Sequence, residues 1–416
     1  MREIDVLLYG ATGFTGKLVA EYLAKRGADE GLRWALGGRS RTKLEEVRRH
    51  LATTDEALAD LPILVADSED VAALDAVVAK TSVVLTTVGP YAKFGIELAR
   101  SCARHGTSYC DLTGEPNFVR KVIDECHALA KEKQSRIVHC TGYDSIPSDL
   151  GAHIAFDYAK QRWNEDLAWV KIFTGRTKGA VSGGTVASAF GITEAARADR
   201  DVRKVLLDPH GLDPVRPPRS REPFEQDQRG VRFDEDLQRW TAPFVMASIN
   251  ARIVRRSHAL FKEEDGKGYG QDFKYNEAMS FGRGPRGFAQ AAAVTAGIVG
   301  FFAATGFGPT RKLLEKAVLP KPGEGPSRET IENGFFEMHV LARTQSGKKL
   351  RGRVAGTSDP GYGATATMIG ETAICLAKDG ARLAPRYGVL TPATAMGMRL
   401  VERLQSAGMT FDIHEV

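Results

Sequence analysis

Short apolar runs alternate with amphipathic stretches along the first third of the chain. Ile4-Asp5-Val6-Leu7-Leu8-Tyr9 is a run of strand length, and residues 17–26 then carry charge at helical spacing. The alternation continues, with strands expected at 33–36, 62–66, 82–88, 107–112 and 136–140 and helical stretches between them. Strand–helix alternation of this kind predicts an α/β unit, a doubly wound parallel sheet of Rossmann type.

The pattern changes after residue 145. Residues 146–160 predict a helix and 168–174 a strand. Ser182-Gly183-Gly184-Thr185 opens a helical stretch to about Arg197, with Ser182 placed as an N-cap. In residues 206–238, Pro209, Pro214, Pro217, Pro218 and Pro223 are interleaved with charge, which predicts a loop or lid. A helix follows at 245–261, then longer strands at 273–281 and 335–343. Ser346-Gly347 turns the latter into a hairpin partner at 349–357. Asp359-Pro360-Gly361-Tyr362-Gly363 starts another helix, and 391–407 reads as a final one with Pro392 in its first turn. The expected organisation is a cofactor unit at 1–145, an α+β unit with a largely antiparallel sheet at 146–390, and a C-terminal helix at 391–416 packing back on the first unit. The open sheet of the second unit offers an edge for a homodimer.

Between the first strand and first helix lies Gly10-Ala11-Thr12-Gly13-Phe14-Thr15-Gly16. A glycine-rich turn at this point is a dinucleotide fingerprint. Glycine allows the tight turn and close backbone approach, and the helix N-terminus presents free N–H groups to a pyrophosphate. At the end of the second strand an NAD site usually places a carboxylate for the ribose hydroxyl. This chain has Gly38-Arg39-Ser40, with Arg41 and Lys43 beyond. A guanidinium beside a hydroxyl suits a 2′-phosphate, so the expected cofactor is NADP(H), bound by Arg39 and Ser40 with help from Lys43. Asp67, after the third strand, is expected near the adenine. Val88, Gly89 and Pro90, after the fourth, are expected beside the nicotinamide.

The net charge of +5 in 416 residues is mild and unclustered, and argues against nucleic acid. The five cysteines form no C-x-x-C pair and the nine histidines no H-E-x-x-H, so no metal site is expected. No signal-peptide pattern precedes the first strand. A reducing cytoplasm is the expected location, with peripheral contact at the cytoplasmic membrane as a further expectation. That expectation rests on residues 288–307, which are uncharged and long enough nominally to span a bilayer. Their alanine and glycine content favours a buried, closely packed helix, with docking on a lipid surface as the alternative.

Hydride transfer belongs to a nicotinamide; the protein binds, orients and supplies a proton. No tyrosine is followed by lysine at the fourth position, and Gly-x-Ser-x-Gly is absent. The best polar cluster is Thr141-Gly142-Tyr143-Asp144-Ser145-Ile146-Pro147-Ser148-Asp149, after the sixth strand. Tyr143 is the candidate proton donor and Asp144 its positioning partner, although short polar residues before a helix more often serve as caps. Tyr91 is a further catalytic candidate, fixed beside the nicotinamide by Gly89 and Pro90. Glu115 and Tyr362 are weaker candidates for substrate contact.

Taken together, these motifs resemble the saccharopine dehydrogenase-like oxidoreductases. The resemblance is carried by the glycine turn, Gly38-Arg39-Ser40, Val88-Gly89-Pro90-Tyr91, Asp111-Leu112-Thr113-Gly114-Glu115 and the 142–149 cluster. Outside the first unit it is carried by Ser182-Gly183-Gly184-Thr185 and the Leu319-Pro320-Lys321-Pro322-Gly323-Glu324-Gly325-Pro326-Ser327 stretch. Within that group the chain looks most like the trans-acting enoyl reductases of mycobacteria, which are associated with polyketide-derived envelope lipids and glycolipids. The resemblance implies NADPH-dependent reduction of an α,β-unsaturated, lipid-like acyl thioester carried on a polyketide synthase. Two other readings stand beside it. One is a saccharopine- or opine-type amino-acid dehydrogenase, for which Arg176, Arg197 or Arg283 would have to clamp carboxylates. The other is a non-catalytic NADPH-binding protein at a lipid or membrane surface.

Overall fold

The first apolar run becomes β1 (Ile4–Tyr9), buried at every position. With β2 (Trp34–Gly38), β3 (Ile63–Val65), β4 (Thr81–Thr86), β5 (Ser108–Asp111), β6 (Arg136–Val138) and β13 (Gly388–Leu390) it forms a seven-stranded sheet ordered β13-β6-β5-β4-β1-β2-β3. Every pairing is parallel. The strand order reverses between β1 and β4, and the crevice at their carboxyl ends is where such sheets bind ligands. The crossovers hold α1 (Phe14–Asp29), α2 (Arg41–Ala52), α3 (Val71–Val78), α4 (Tyr91–Phe94), α5 (Ile96–His105) and α6 (Pro116–Glu132). The computed structural model describes residues 2–179, 183–217, 222, 224–305 and 325–416, without the side chains of 183–187 and 189. Ser182, residues 218–221, Pro223, Phe307 and residues 319–324 of the sequence motifs lie outside the described residues.

The second sheet contains β7 (Leu167–Lys178), β8 (Arg232–Asp234), β9 (Arg239–Ala242), β10 (Lys274–Ser280), β11 (Phe335–Thr344), β12 (Lys349–Gly356) and β14 (Thr410–Glu415), ordered β14-β12-β11-β7-β10-β9-β8. It is antiparallel except for the β7–β10 pair. The remaining described helices are α7 (Ile146–Trp163), α8 (Gly183–Ala198), α9 (Arg200–Leu207), α10 (Ala247–Asp265), α11 (Pro285–Thr305), α12 (Arg328–Glu332), α13 (Gly363–Lys378), α14 (Pro392–Ala395) and α15 (Met398–Ser406). α7 lies on the inner face of this sheet. At Gly151 a side chain would meet Ile172 Cδ1 at 3.1 Å and Val340 Cγ2 at 3.3 Å, so the absent Cβ sets how closely helix and sheet pack.

Several elements differ from the sequence expectations. The Pro-rich stretch 206–238 contains β8, which pairs with β9 as a hairpin. The single helix expected at 391–407 is two, because Gly397 adopts φ +51° between α14 and α15. The chain then ends in a strand that joins the second sheet. β13 and α13 were read as parts of the second unit, yet both complete the first. β13 adds a parallel strand beside β6, and α13 packs on α1, β1, β4 and β5. The buried-helix expectation for 288–307 fails. Only Gly287, Ala291 and Thr305 of α11 are buried, because the helix meets the rest of the protein along one narrow spine.

Arg403 of α15 ties these parts together. Its guanidinium bonds Glu30 of α1 at 3.0 Å, the fully buried Glu371 of α13 at 3.2 Å, and Asp379. Glu371 also accepts from Tyr22 Oη at 2.6 Å and Arg26 Nε at 3.0 Å. Replacing Arg403 with methionine would leave three carboxylates with reduced compensation. Arg403→Met is expected to cost about 3–5 kcal/mol in a urea-unfolding measurement, against near zero for an exposed control such as Arg328→Met.

Candidate active site

Gly10 lies between β1 and α1 with φ +98°, a backbone conformation that favours glycine. A Cβ on Gly16 would come within 2.1 Å of the Gly10 carbonyl oxygen, so the helix can sit this close only with glycine there. Above Gly13 there is room, since a Cβ would meet nothing nearer than Gly10 O at 3.5 Å. No side chain caps α1 and its first turn holds no acid. The first-turn N–H groups of Phe14, Thr15 and Gly16 therefore face an open, electropositive cradle that fits a pyrophosphate. The Phe14 ring turns away from it and packs edge-on against Tyr362, centroids 5.0 Å apart. Tyr362 is buried in that contact, away from the substrate side.

The adenosine end lies at β2 and β3. Arg39 and Lys43 are exposed. Ser40 caps α2, its Oγ accepting from Lys43 N at 3.5 Å, so the hydroxyl is held at a helix N-terminus whose dipole also favours a phosphate. Thr12 and Gly13 share a cleft with Lys17 and Lys43 between α1 and α2. Asp67 Oδ1 accepts from Glu69 N at 3.0 Å. Its charge and that of Arg39 act in opposite senses on the Tyr9 hydroxyl, which burial pushes up to about 12. Arg39, Ser40 and Lys43 fit the 2′-phosphate of NADP(H).

At the other end, a cavity of about 300 Å³ opens beside Thr87, Gly89, Pro90 and Tyr91, just beyond Val88. Val88 N donates to Thr86 Oγ1 at 3.2 Å, and Thr87 Oγ1 donates to Gly10 O at 3.2 Å, which ties this loop to the glycine turn. Leu112, Gly114, Gly142 and Asp144 line it, and Ile192, Val245, Met246 and Phe302 give it an apolar wall interrupted by the hydroxyls of Ser188, Thr193 and Ser248. Among the described lining residues there is no arginine or lysine, and Asp144 is the only carboxyl.

The candidate residues separate here. Tyr91 lines the cavity, but its hydroxyl donates to Thr86 O and accepts from Leu112 N, both at 3.2 Å. It is buried, which raises its pKa well above the usual value and makes it a fixed packing group. Tyr143 is turned toward the second sheet. Its ring packs edge-on against Phe336 at 5.0 Å, its N–H donates to Thr365 Oγ1 at 3.1 Å, and its hydroxyl bonds Thr177. It is absent from the described lining of the cavity. Asp144 takes the place expected of Tyr143. Burial alone pushes its carboxyl up to about 7, and among the described residues no hydrogen bond or ion pair engages it. A Cβ on Gly114 would meet Asp144 Oδ2 at 3.5 Å and Met246 Cε at 3.6 Å, so glycine keeps the space beside the acid open.

Capping accounts for little of the 142–149 cluster, since no side chain caps α7. Ser145 Oγ donates to Asn250 Oδ1 and Ser148 Oγ to Glu277 Oε1, each at 3.0 Å. Asp149 accepts from Ala393 N at 2.8 Å and so serves the N-terminus of α14. Glu115 accepts from Tyr91 N at 3.0 Å, Ala92 N at 2.8 Å and Ser188 Oγ at 2.8 Å, joining α4 to α8 at the cavity edge. Arg176, Arg197 and Arg283 are exposed and form no clamp in the described cavity. Sequence reading missed the apolar wall. Ile192 of α8, Met246 just before α10 and Phe302 of α11 lie far apart in the chain, and no local motif marks them.

A family model described as the saccharopine dehydrogenase NADP binding domain matches residues 6–138. Saccharopine dehydrogenase (L-Glu forming) from Saccharomyces cerevisiae shares the fold, with a TM-score of 0.53 and 14% identity over 99% of both chains. Fold, glycine turn and family match define an NADP(H)-dependent oxidoreductase of saccharopine dehydrogenase-like architecture. A Mycobacterium bovis (strain BCG / Pasteur 1173P2) protein named trans-acting enoyl reductase is 40% identical over 423 residues, covering 98% of this chain and 97% of that one. A Mycobacterium tuberculosis (strain ATCC 25618 / H37Rv) relative that bears the same name provisionally is 42% identical over 419 residues, with the same coverage. The chain belongs to the trans-acting enoyl reductase family.

Arg39→Ala is expected to weaken NADPH binding about tenfold or more, the worth of one charge-assisted contact, while leaving NADH unchanged. Parallel fluorescence titrations with the two cofactors check this, and equal losses would count against the 2′-phosphate role.

Proposed function

We propose that this enzyme reduces the carbon–carbon double bond of an α,β-unsaturated acyl thioester presented by a separate polyketide synthase, within the synthesis of a polyketide-derived lipid. The observation that carries this reading is the composition of the cavity, apolar side chains and hydroxyls around one carboxyl, with no cation in the described lining. A saccharopine-type substrate brings carboxylates that would need buried positive partners, and such charges are not left unpaired. The names carried by the relatives point the same way.

NADPH, when bound, supplies the hydride to the β-carbon of the acyl chain. The electron pair of the double bond then moves toward the thioester carbonyl, and the α-carbon needs a proton. Asp144 holds one at neutral pH because burial disfavours its charged form. It gives that proton to the α-carbon, becomes a carboxylate and is reprotonated from water. Gly89 and Pro90 would border the cofactor side of the cavity, and Gly114 with Met246 bounds the space beside the Asp144 carboxyl. The five cysteines are all unpaired and buried, which supports placing the reaction in the reducing cytoplasm.

NADPH oxidation should be followed with a 2-enoyl thioester and with saccharopine side by side. Turnover of the thioester alone is the expected result, and turnover of saccharopine alone would sink the proposal. Asp144→Asn is expected to lower kcat by about 100- to 10,000-fold with NADPH affinity retained. Because the acting form is the protonated acid, the wild-type kcat should fall as pH rises through about 7. The residual activity of Asp144→Asn should lack that limb, and an unchanged limb in the variant would assign the proton to another group.

A further inference from the structure

α11 is the largest feature that the catalytic reading leaves unexplained. It runs for 21 residues, and only 11% of its most apolar window is buried. Its inner spine is held by β9 and neighbouring helices. Phe288 packs edge-on against Trp240 at 5.0 Å near the start, and Phe301 against Phe190 of α8 at 5.9 Å near the end. Outward it presents Ala293, Ala296, Gly297, Val299, Gly300 and Ala303, all exposed. Val299 is 59% exposed and Phe302 43%.

The exposed arc is too broad for one partner helix. A packed helix covers a single stripe, whereas a surface apolar on several sides needs a continuous apolar medium. Cations gather at one end of it. Arg283 and Arg286 stand exposed at the start of α11, and Arg239 is exposed on the neighbouring β9. The adjacent hairpin also carries acids: Asp234 and Asp236 share Lys171, and the exposed Glu235 accepts from the neutral amide of Gln238 at 3.0 Å. Trp240 lies between this basic rim and the apolar surface, at the level where an indole favours a membrane interface. Phe302 belongs both to this surface and to the cavity lining.

We infer that α11 lies flat in the surface of an anionic bilayer, with Arg239, Arg283 and Arg286 on lipid headgroups, so that the mouth of the catalytic cavity opens at the lipid surface. This deepens the acyl-thioester reading and rests on it for the purpose of docking, while docking itself can be read without turnover. The full-length enzyme with NADPH is mixed with vesicles of phosphatidylcholine alone or of phosphatidylcholine and phosphatidylglycerol, then floated. The expected result is partition into the anionic vesicles, weakened by salt, and an at least tenfold loss in the Ala293→Glu/Val299→Glu variant. NADPH titration of the variant should match wild type, which shows the fold intact. No partition of the wild type into either vesicle, or equal partition of the variant, would overturn the proposal. So would a dimer in sedimentation equilibrium that the variant dissociates without any vesicle binding, since α11 would then join two copies of the chain.

Discussion

The packing of α13 against α1 and the first sheet is the constraint on which the rest of the structure depends. A Cβ on Gly370 would come within 2.4 Å of the Tyr22 ring, so the two helices pack as closely as side chains allow. Glu371 is buried at the same contact and is held by Tyr22, Arg26 and Arg403 from two other helices. A buried carboxylate with several donors gives this seam a single arrangement, because any displaced register would leave the charge unpaired. The seam brings Gly361 and Thr365 to the carboxyl edge of the first sheet, where Thr365 receives the N–H of Tyr143. The cavity exists because a segment more than two hundred residues away returns to close it.

Within that cavity, the environment assigns the roles. Tyr91, Tyr143 and Asp144 are close in the chain's architecture, yet they have different partners. The two phenols are each engaged by fixed hydrogen bonds, whereas the Asp144 carboxyl lines the open volume with no partner for its charge among the described residues. A carboxyl raised to about 7 is still partly protonated at neutral pH and can serve as an acid, while a phenol pushed further up is a poor match in proton affinity. The apolar wall strengthens this effect by excluding water and suits an uncharged acyl chain.

Strands β1 to β6 of the first sheet were legible to within a few residues. Continuous apolar runs of strand length, each followed by a turn and an amphipathic stretch, admit few arrangements other than parallel βαβ units. Gly10 and Gly16 mark the ligand end because backbone geometry there excludes side chains, and Gly13 leaves the space above the turn open. The short strands β8, β13 and β14 were not legible. A three-residue strand such as β13 carries no periodicity, and its membership of the first sheet is decided by what lies beside β6. The helix break at Gly397 was also hidden, since an isolated glycine inside a helical pattern is tolerated as often as it terminates one.

α11 shows where the division falls. Its sequence alone determined a long, uncharged, small-residue helix, and the motifs alone determined a dinucleotide fold with a phosphate-binding turn. Whether that helix would be covered, and which of three acidic or phenolic groups would open on the cavity without a hydrogen-bond partner among the described residues, depended on contacts between segments distant in the chain. Local sequence fixes backbone preference and which residues must leave water. Burial and the direction of a side chain are properties of the assembled neighbours, and these only the tertiary structure decided.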